Sequence, residues 1–500
     1  MRDQLRSFIR RLVPRGDVLE QTIMSGAWGG LLNVFSRGLQ LGMLVLLANL
    51  LKPADFGLLG IGLLVLSGLR NFTTMGLDEA VIQREEDDVN RYLNTVWGLE
   101  LLRGSLLAAV LLALAPVIGS VFGEPRAPDV VRVLAASPLL MALRNPAVVY
   151  FRKRLDFHRE FAYQMSGSVS RFVVSVGWAL VSPTVWALVF GLLASEAIKS
   201  VFSFVAHEYR PRPALDRERA AELIGYGKWL TGNSILYFLY SEGDDAVVGW
   251  LLTSTMLGFY QTAYRLSNAP ATEISQVIGK VMFPAFSTLQ DDPAALRMAY
   301  YRVLQTSMFV ACPLAFGIVA VAEVFVPTFM GEEWLPMITA MQLLAVYGLL
   351  RSLGKTMSPL WKAIGRPDYV TKLSLLRVTL IAVLIVPVTN AYGIEGVAGL
   401  IVGIFVFPMI PLDTYLIIES IDGSYRRFVR ELAYPMVASV LMYGAVTAVR
   451  EELALGAGVL EFVLLVVVGI VSYVAVVVAL AFKFEWGIED NIREIVDTVG

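Results

Sequence analysis

Positively charged side chains occur inside long apolar stretches of this sequence, where a helix embedded in lipid rarely keeps a charge. Arg37 and Arg265 each lie near the middle of such a stretch. In another stretch, Arg351 and Lys355 are four residues apart and would share one helix face, where like charges repel. This arrangement favours a water-accessible cavity or an opposing anion over contact with lipid. A guanidinium group stays charged when partly buried and presents a planar fork to phosphate oxygens, so the predicted ligand is anionic.

Other polar residues extend these positions into stripes. Spacings of three and four residues put each stripe on one face of a helix. Opposing stripes would line one central cationic cavity, where tyrosines and amides suit the recognition of sugars. The residues predicted to line this cavity are Asn33, Arg37, Gln40, Arg70, Asn233, Tyr237, Gln261, Arg265, Asn268, Arg351 and Lys355.

Three acidic residues, Glu242, Asp244 and Asp245, lie in the same apolar stretch as Tyr237. The sequence leaves three roles open for them: a fixed salt bridge with Arg265, a site for a coupling cation, or the uptake of a proton. The cationic residues also have a structural alternative, because each could pair with a carboxylate and lock two helices together.

Two further pairs of opposite charge lie within single predicted helices. Glu100 precedes Arg103 by three residues, and Glu196 precedes Lys199 by the same distance. Side chains at this spacing are neighbours on a helix surface and can neutralise each other. We therefore predict a structural role for these four residues.

The composition places these residues in a membrane protein. Of the 500 residues, 56% are hydrophobic and 17% are charged, whereas soluble domains have about 45–50% and about 25%. The mean hydropathy is +0.64. A helix needs roughly 20 mostly apolar residues to cross a bilayer, and such stretches predict an all-α, polytopic protein with about fourteen transmembrane helices. They cover residues 23–51, 54–76, 94–122, 129–151, 161–182, 184–206, 223–252, 255–279, 303–326, 335–361, 369–389, 394–419, 432–449 and 459–482.

The distribution of Lys and Arg orients these spans. Cytoplasmic segments of membrane proteins are rich in both residues, and with both termini in the cytoplasm the external segments, together with the span ends that adjoin them, hold only Lys52, Arg126, Arg132 and Arg450. The sequence thus predicts a multi-pass protein of the cell membrane. Its predicted parts are a basic N-terminal segment (1–22), a first lobe of six spans (23–206), a linker (207–222), a second lobe of six spans (223–420), two extra spans (421–482) and a cytoplasmic tail (483–500).

The two lobes contain a short internal repeat. Leu50, Leu51 and Gly57 recur as Leu251, Leu252 and Gly258, with a constant offset of 201 residues. Six spans return the chain to the same side of the membrane, so the lobes would be parallel repeats. Parallel repeats are related by an axis along the membrane normal, with the substrate site between them. The pattern predicts two six-helix lobes related by a pseudo-two-fold axis.

Four stretches of the sequence resemble a known family. They cover Leu47–Ile61, Gly76–Glu85, Asp244–Pro270 and Val281–Asp292. Together they resemble polysaccharide transporters, including lipopolysaccharide and O-antigen flippases, of the multidrug/oligosaccharidyl-lipid/polysaccharide exporter superfamily. The resemblance implies a cavity that opens alternately to each side and flips a saccharide linked to an isoprenoid phosphate or pyrophosphate. It also implies that cavity arginines hold the anionic head group, and Arg265 lies inside a matching stretch.

Other function classes are disfavoured. A cation-coupled drug or metabolite antiporter of the same superfamily is the alternative, but a basic cavity suits cationic drugs poorly. A membrane enzyme such as a glycan polymerase would need acid/base clusters in a large external loop, and the predicted loops are short. No catalytic residue, metal-ligand set, cofactor motif or nucleic-acid-binding domain is predicted, and Cys312 is the only cysteine. The expected partners are the lipid-linked saccharide, membrane lipids, and a glycan polymerase or glycosyltransferases.

Overall fold

The computed structural model describes residues 18–73, 86–154, 156–214, 216–453 and 458–484. All regular structure within these ranges is helical, which confirms the predicted all-α fold. The α-helices are α1 (Val18–Leu50), α2 (Pro53–Phe72), α3 (Glu86–Val121), α4 (Ala127–Leu134), α5 (Ala136–Ala142), α6 (Val149–Lys153), α7 (Phe157–Val181), α8 (Val185–Ala206), α9 (Arg217–Leu251), α10 (Ser254–Thr288), α11 (Pro293–Phe329), α12 (Ile338–Ala363), α13 (Pro367–Ile404), α14 (Ile410–Ser420), α15 (Tyr425–Leu453) and α16 (Val459–Phe484).

Eight helical segments of the described chain are long and apolar enough to cross a membrane. They are Pro53–Phe72, Tyr92–Val121, Val185–Ala206, Pro293–Phe329, Glu332–Ala363, Pro367–Ser420, Tyr425–Glu452 and Val459–Ala481. A ninth follows if Ala127–Ala142 and Pro146–Lys153, which meet at a bend of 67°, form one broken span. The protein is therefore a polytopic, all-helical membrane protein, as predicted.

The remaining predicted spans also overlap helices. α1, α7, α9 and α10 have between 25 and 35 residues. Within α1, Phe35–Leu50 is apolar. Pro367–Ser420 is one run of 54 residues, long enough for two crossings. Gly393 has a φ of 58° and kinks this run at the break predicted between residues 389 and 394. The predicted tight turn at Ser182 is confirmed as well, since α7 ends at Val181 and α8 begins at Val185.

The residues up to Gly258 form one compact unit. α7 and α8 pack as a hairpin, α1 packs along α7, α2 packs against α9, and α3 packs against α4 and α5. Leu58, Ile61, Leu111 and Leu134 are fully buried in this unit. Because lipid tails are as apolar as these side chains, close packing holds such helices together more than exclusion from water does.

Two glycines bring the first turns of α2 and α10 into backbone contact within this unit. A Cβ at Gly57 would collide with the carbonyl oxygen of Ser254 and would lie 2.8 Å from the backbone nitrogen of Gly258. Reciprocally, a Cβ at Gly258 would collide with the carbonyl oxygen of Pro53 and would lie 3.0 Å from the backbone nitrogen of Gly57. Small residues of this kind let membrane helices approach closely.

The residues from Phe259 onward form the second compact unit. In it α11 packs against α12 and α15, and α16 packs against α15 and α11. The main core cluster includes buried Tyr300, Met308 and Trp361, together with the buried free thiol of Cys312. The lobe boundaries at residues 206 and 223, which were inferred from the internal repeat, stay a prediction.

Candidate functional site

Three of the predicted cavity residues of α1 and α9 can be compared directly with the structure. Arg37 and Gln40 are exposed on α1, and Arg37 Nη1 donates a hydrogen bond to Gln40 Oε1 at 3.3 Å. Tyr237 is 59% exposed on α9. The side chains of Asn33 and Asn233 lie outside the described residues. Arg37 and Gln40 therefore lie together on one exposed face of α1, and the cavity-lining stripe stays a prediction.

The acidic residues of α9 connect to α2. Glu242 is half-buried, and its Oε1 accepts a hydrogen bond from Ser67 Oγ at 2.8 Å. Asp244 and Asp245 are also half-buried. A structural contact for Glu242 is thus established, while a coupling role for the three carboxylates stays a prediction.

Six basic and three acidic described side chains of the first unit are linked in sequence by ion pairs and charge interactions, with Arg144 as the common member. We call them the first-unit basic cluster. Its members are Arg70, Arg103, Arg144, Arg152, Arg171, Lys199, Glu100, Glu160 and Glu196. With all groups ionised the cluster has a formal charge of +3, since six positive charges face three negative ones.

The ion pairs in this cluster agree only partly with the sequence-based expectation. Arg103 Nη1 lies 3.2 Å from Glu100 Oε1, which confirms that pair. Glu196, by contrast, pairs with Arg144 of the α5–α6 connection rather than with Lys199. Lys199 is therefore left among like charges, an outcome that the local spacing of three residues did not reveal.

Arg70, a predicted cavity residue, belongs to the same cluster. It is half-buried near the end of α2, and the charges of Arg103, Arg144 and Glu100 act on it. Arg103 Nη2 also donates a hydrogen bond to the carbonyl oxygen of Arg70 at 3.2 Å. The structure thus extends the predicted cationic region from one arginine of α2 to α3 and the α5–α6 connection.

A ladder of aromatic rings joins two arginines in the second unit. Arg351 Nη1 donates a hydrogen bond to Tyr264 Oη at 2.7 Å. The Tyr264 ring lies 6.2 Å from that of Tyr347, which in turn meets Phe405 edge-on at 5.0 Å. The guanidinium carbon of Arg377 lies 4.1 Å from the centre of the Phe405 ring, within range of a cation–π contact. We call these five residues the aromatic ladder.

The other predicted residues of the second unit occupy different environments. Arg265 is exposed on α10, and Gln261 and Lys355 are half-buried. Asn268 is only 3% exposed, and its Nδ2 lies 3.5 Å from the carbonyl oxygen of Leu344 as a hydrogen-bond donor. Asn268 therefore connects α10 to α12 at a buried contact.

Asp413 is a buried carboxylate that sequence reasoning missed. It lies on α14, is 5% exposed, and its Oδ1 is buried without a hydrogen-bond partner in the described chain. The charge of Arg377 acts on it, and Asp413 in turn acts on buried Tyr300. The signal available in the sequence was an acidic residue in the interior of the apolar stretch predicted as the twelfth span, away from Glu395 and Glu419 at its ends.

A second polar group lies where α2 and α10 begin. Glu124 Oε2 accepts a hydrogen bond from Ser254 Oγ at 2.6 Å, and Arg126 contacts both Glu124 Oε1 at 3.1 Å and Asp55 Oδ1 at 3.4 Å. Burial alone would raise the pKa of Glu124, but the hydrogen bonds from Arg126 and Ser254 outweigh burial and hold that pKa below its ordinary value. A cleft of about 360 Å³ adjoins Glu124 and Ser254. We call Asp55, Glu124, Arg126 and Ser254 the α2–α10 polar group.

The family described as polysaccharide biosynthesis protein matches residues 46–339, which is more than half of the chain. The chain belongs to this family. The predicted membership among polysaccharide transporters is confirmed, and with it the assignment to a class of membrane transporters rather than enzymes. Among its relatives is the lipopolysaccharide biosynthesis protein WzxC of Escherichia coli (strain K12). The two are 27% identical over 445 residues, which cover 87% of this chain and 89% of WzxC.

Two solved structures share the fold of this family member. The inward closed conformation of the lipid II flippase MurJ superposes with a TM-score of 0.71 at 13% identity, covering 91% of this chain and 99% of that structure. An inward-facing multidrug resistance MATE transporter of the MOP superfamily gives a TM-score of 0.60 at 16% identity, covering 77% of this chain and 95% of that structure. At such identities the similarity establishes the fold alone.

Proposed function

We propose that this polysaccharide biosynthesis protein flips a lipid-linked oligosaccharide or polysaccharide precursor from the cytoplasmic to the outer leaflet by alternating access. The observation that carries the proposal is the presence of cationic side chains within the helices of both units, where lipid would exclude them. Arginine forks match the oxygens of a phosphate or pyrophosphate head group. We assign Arg37, Arg265, Arg351 and Lys355 to that head group.

The names of the similar proteins agree with this cargo. WzxC acts in lipopolysaccharide biosynthesis by its name, and MurJ is described as a lipid II flippase. In both cases the substance named is a glycan or a lipid that carries one. The cargo of this chain is accordingly proposed to be a saccharide on an isoprenoid phosphate or pyrophosphate, with a glycan polymerase or glycosyltransferases as further partners.

The proposed topology has fourteen spans in the cell membrane, with both termini in the cytoplasm. Six spans would form each lobe, and residues 421–482 would add two more. The reciprocal contact of Gly57 with Ser254 and of Gly258 with Pro53 supports the two-fold relation, because each pair of corresponding residues obeys the 201-residue offset. A cavity that opens alternately to each side would then separate the two lobes.

The experiment that tests this function uses purified protein in liposomes that contain a fluorescent isoprenoid-pyrophosphate oligosaccharide. A membrane-impermeant quencher reports how much of the lipid has reached the outer leaflet. We expect the wild-type protein to move the fluorescent lipid of the inner leaflet to the outer leaflet, where the quencher reaches it. Because a charge-assisted hydrogen bond is worth about 1.5–3 kcal/mol, we expect Arg351→Gln to slow flipping about tenfold or more, and Arg351→Lys to slow it less.

The matched control is Arg132→Gln. Arg132 is exposed and pairs with exposed Asp129 at 2.6 Å, so its loss removes an arginine without touching the proposed site. We expect this variant to flip at the wild-type rate. Equal rates for wild type, Arg351→Gln and Arg265→Gln would exclude a head-group role for these arginines.

A cation-coupled drug antiporter is the second candidate function. The half-buried carboxylates Glu242, Asp244 and Asp245 support it, since they could bind a coupling cation or proton, and so does the MATE-like fold. The same liposomes separate the two functions. Efflux of a small cationic dye driven by a sodium or proton gradient, without movement of the lipid-linked saccharide, would favour the antiporter.

A further inference from the structure

A groove between α7 and α8 holds the side chain of Lys199. A Cβ at Gly167 would collide with Cε of Lys199, so the absence of a side chain at Gly167 leaves room for the lysine stem. The ammonium group lies 5.9 Å from the centre of the Tyr163 ring, at the outer limit of a cation–π contact. Lys199 is half-buried there and makes no hydrogen bond or ion pair with any residue in the described ranges.

The nearby carboxylates already have partners. Glu196 forms its ion pair with Arg144. Glu160, which is 6% exposed, has its Oε1 at 3.3 Å from Arg152 Nη2. Neither carboxylate lies within ion-pair distance of the Lys199 ammonium. Among the described residues, the two carboxylates that could form an ion pair with Lys199 are therefore paired with arginines instead.

Among the residues that the structure describes, positive charge exceeds negative charge around the groove. The largest effects of charge on Lys199 come from Arg144, Arg152 and Arg171 on the positive side and Glu160 on the negative side, and Glu196 adds a second negative charge through its pair with Arg144. Several like charges close together inside a membrane protein raise its free energy, and an anion placed among them would lower it. A phosphate group suits this position because ammonium and guanidinium groups both donate strong hydrogen bonds to its oxygens.

Both helices also carry exposed apolar side chains on faces that point away from the groove. Val169 and Val173 on α7 are 46% and 59% exposed, and Val201 on α8 is 63% exposed. Lys199 lies seven residues before the end of α8 at Ala206, which is about 10 Å along a helix. A charged group at that depth matches the boundary between lipid head groups and acyl chains.

We propose that the groove binds the phosphate group of an anionic phospholipid. Lys199 would contact the phosphate, Arg144, Arg152 and Arg171 would supply the surrounding positive charge, and acyl chains would lie along the outer apolar faces of α7 and α8. Basic pockets on the cytoplasmic side of membrane proteins bind lipid head groups in this way. The assignment to the cytoplasmic leaflet rests on the proposed topology, whereas the site itself depends on no property of the transported saccharide.

The test is a lipid titration of the purified full-length protein in detergent, followed by native mass spectrometry. The probes are phosphatidylglycerol, which is anionic, and phosphatidylcholine, whose head group has no net charge. We expect the wild-type protein to bind phosphatidylglycerol preferentially. Loss of one charge-assisted contact predicts an affinity about tenfold lower for Lys199→Gln, and Lys199→Arg should keep most of the affinity.

Two further variants keep the result interpretable. Lys372→Gln removes an exposed lysine that pairs with Asp368 at 2.9 Å, and it should bind phosphatidylglycerol like the wild type. Arg152→Gln changes a side chain that is 54% exposed, and it should weaken binding even if Lys199→Gln does not fold. Its effect should be smaller than that of Lys199→Gln.

The same titration identifies the source of the phosphate. An isoprenoid pyrophosphate that binds in a Lys199-dependent manner, while phosphatidylglycerol does not, would assign the groove to the transported lipid and overturn the proposal. Phosphatidylglycerol binding that is equal in the wild type, Lys199→Gln and Arg152→Gln would also overturn it and leave Lys199 a purely structural role. Flipping of the saccharide is a separate readout, so either proposal can fail without the other.

Discussion

Individual arginines in the two units are stabilised by different means. In the first unit Arg144 pairs with Glu196, a carboxylate on another helix. In the second unit Arg351 donates to the Tyr264 hydroxyl, and Arg377 lies over the Phe405 ring. A carboxylate partner neutralises an arginine, whereas a hydroxyl or a ring orients it and leaves its charge in place. The printed contacts of Arg351 and Arg377 therefore orient these two side chains without neutralising them.

Tyr264 is expected to position Arg351 for the head group. Tyr264→Phe keeps the ring packed near Tyr347 and removes only the oxygen that accepts from Arg351 Nη1 at 2.7 Å. A lost hydrogen bond to a charged group predicts a flipping rate about tenfold lower. The liposome assay measures this rate, and thermal melting should show a small change at most. A strongly reduced melting temperature would instead indicate that the hydroxyl is needed for folding.

Glu124 should make the stability of the protein depend on pH. Hydrogen bonds lower the pKa of Glu124 in the folded state, so its stabilising effect is complete above the unfolded pKa and is lost as pH falls through the folded value. We expect Glu124→Gln to destabilise the protein by about 1–2 kcal/mol near pH 7. In melting experiments, the difference from the wild type should shrink below about pH 4.

The matched control is Asp129→Asn, which removes a carboxylate that is 67% exposed and paired with Arg132. Exposed ion pairs contribute little to stability, so its melting curve should follow that of the wild type at every pH. A Glu124→Gln difference that persists unchanged in acid would contradict the role of the ionised carboxylate.

At the scale of single residues, sequence predicts contacts within a helix better than contacts between helices. The pair Glu100 and Arg103 followed from a spacing of three residues, and the structure contains it. The partner of Glu196 could not be inferred, because Arg144 is 52 residues away in the chain. Asp413 was missed for a related reason, since its burial depends on how α14 packs and no local pattern records that.

At the scale of helices, the positions where helices end could be predicted from the sequence, whereas apolar character alone did not identify every long helix as a membrane span. Gly393 and the turn after Val181 end helices through local backbone chemistry, which a sequence records directly. α9 and α10 are 35 residues long but are not among the eight apolar segments, since both carry polar or charged side chains along their length. Such side chains make a long helix harder to recognise as a membrane span.

The close crossing of α2 and α10 should tolerate no side chain at Gly57. Gly57→Ala places a Cβ against the carbonyl oxygen of Ser254, and backbone on both sides must move. We expect a loss of more than about 2 kcal/mol in stability, in the range of overpacked cores. The measurement is the melting temperature of the purified protein.

Gly38→Ala on α1 is the control for this crossing, since a Cβ at Gly38 meets nothing within 4 Å. Alanine favours a helix over glycine by up to about 1 kcal/mol, so this variant should be as stable as the wild type or more so. Equal stability of the Gly57 and Gly38 variants would show that the crossing can open without cost.

At the scale of the whole molecule, the membrane topology can be tested by cysteine labelling, because Cys312 is the only native cysteine that must be replaced. The Cys312→Ala chain gives a background for single cysteines, and the exposed residues Arg132 and Lys372 are suitable positions. In intact cells a membrane-impermeant maleimide should label Arg132→Cys at once and Lys372→Cys only after permeabilisation. Labelling of both positions from outside would contradict the proposed span count.

The reciprocal contact at Gly57 and Gly258 has the form of an isologous dimer interface enclosed in one polypeptide. In a homodimer with two-fold symmetry, residue i of one subunit meets residue j of the other and j meets i. Here Gly57 meets Ser254 while Gly258 meets Pro53, and both corresponding pairs are 201 residues apart. Two separate half-length chains could make this same contact, so expressing the two halves as independent polypeptides is a direct way to ask whether they assemble without the peptide link.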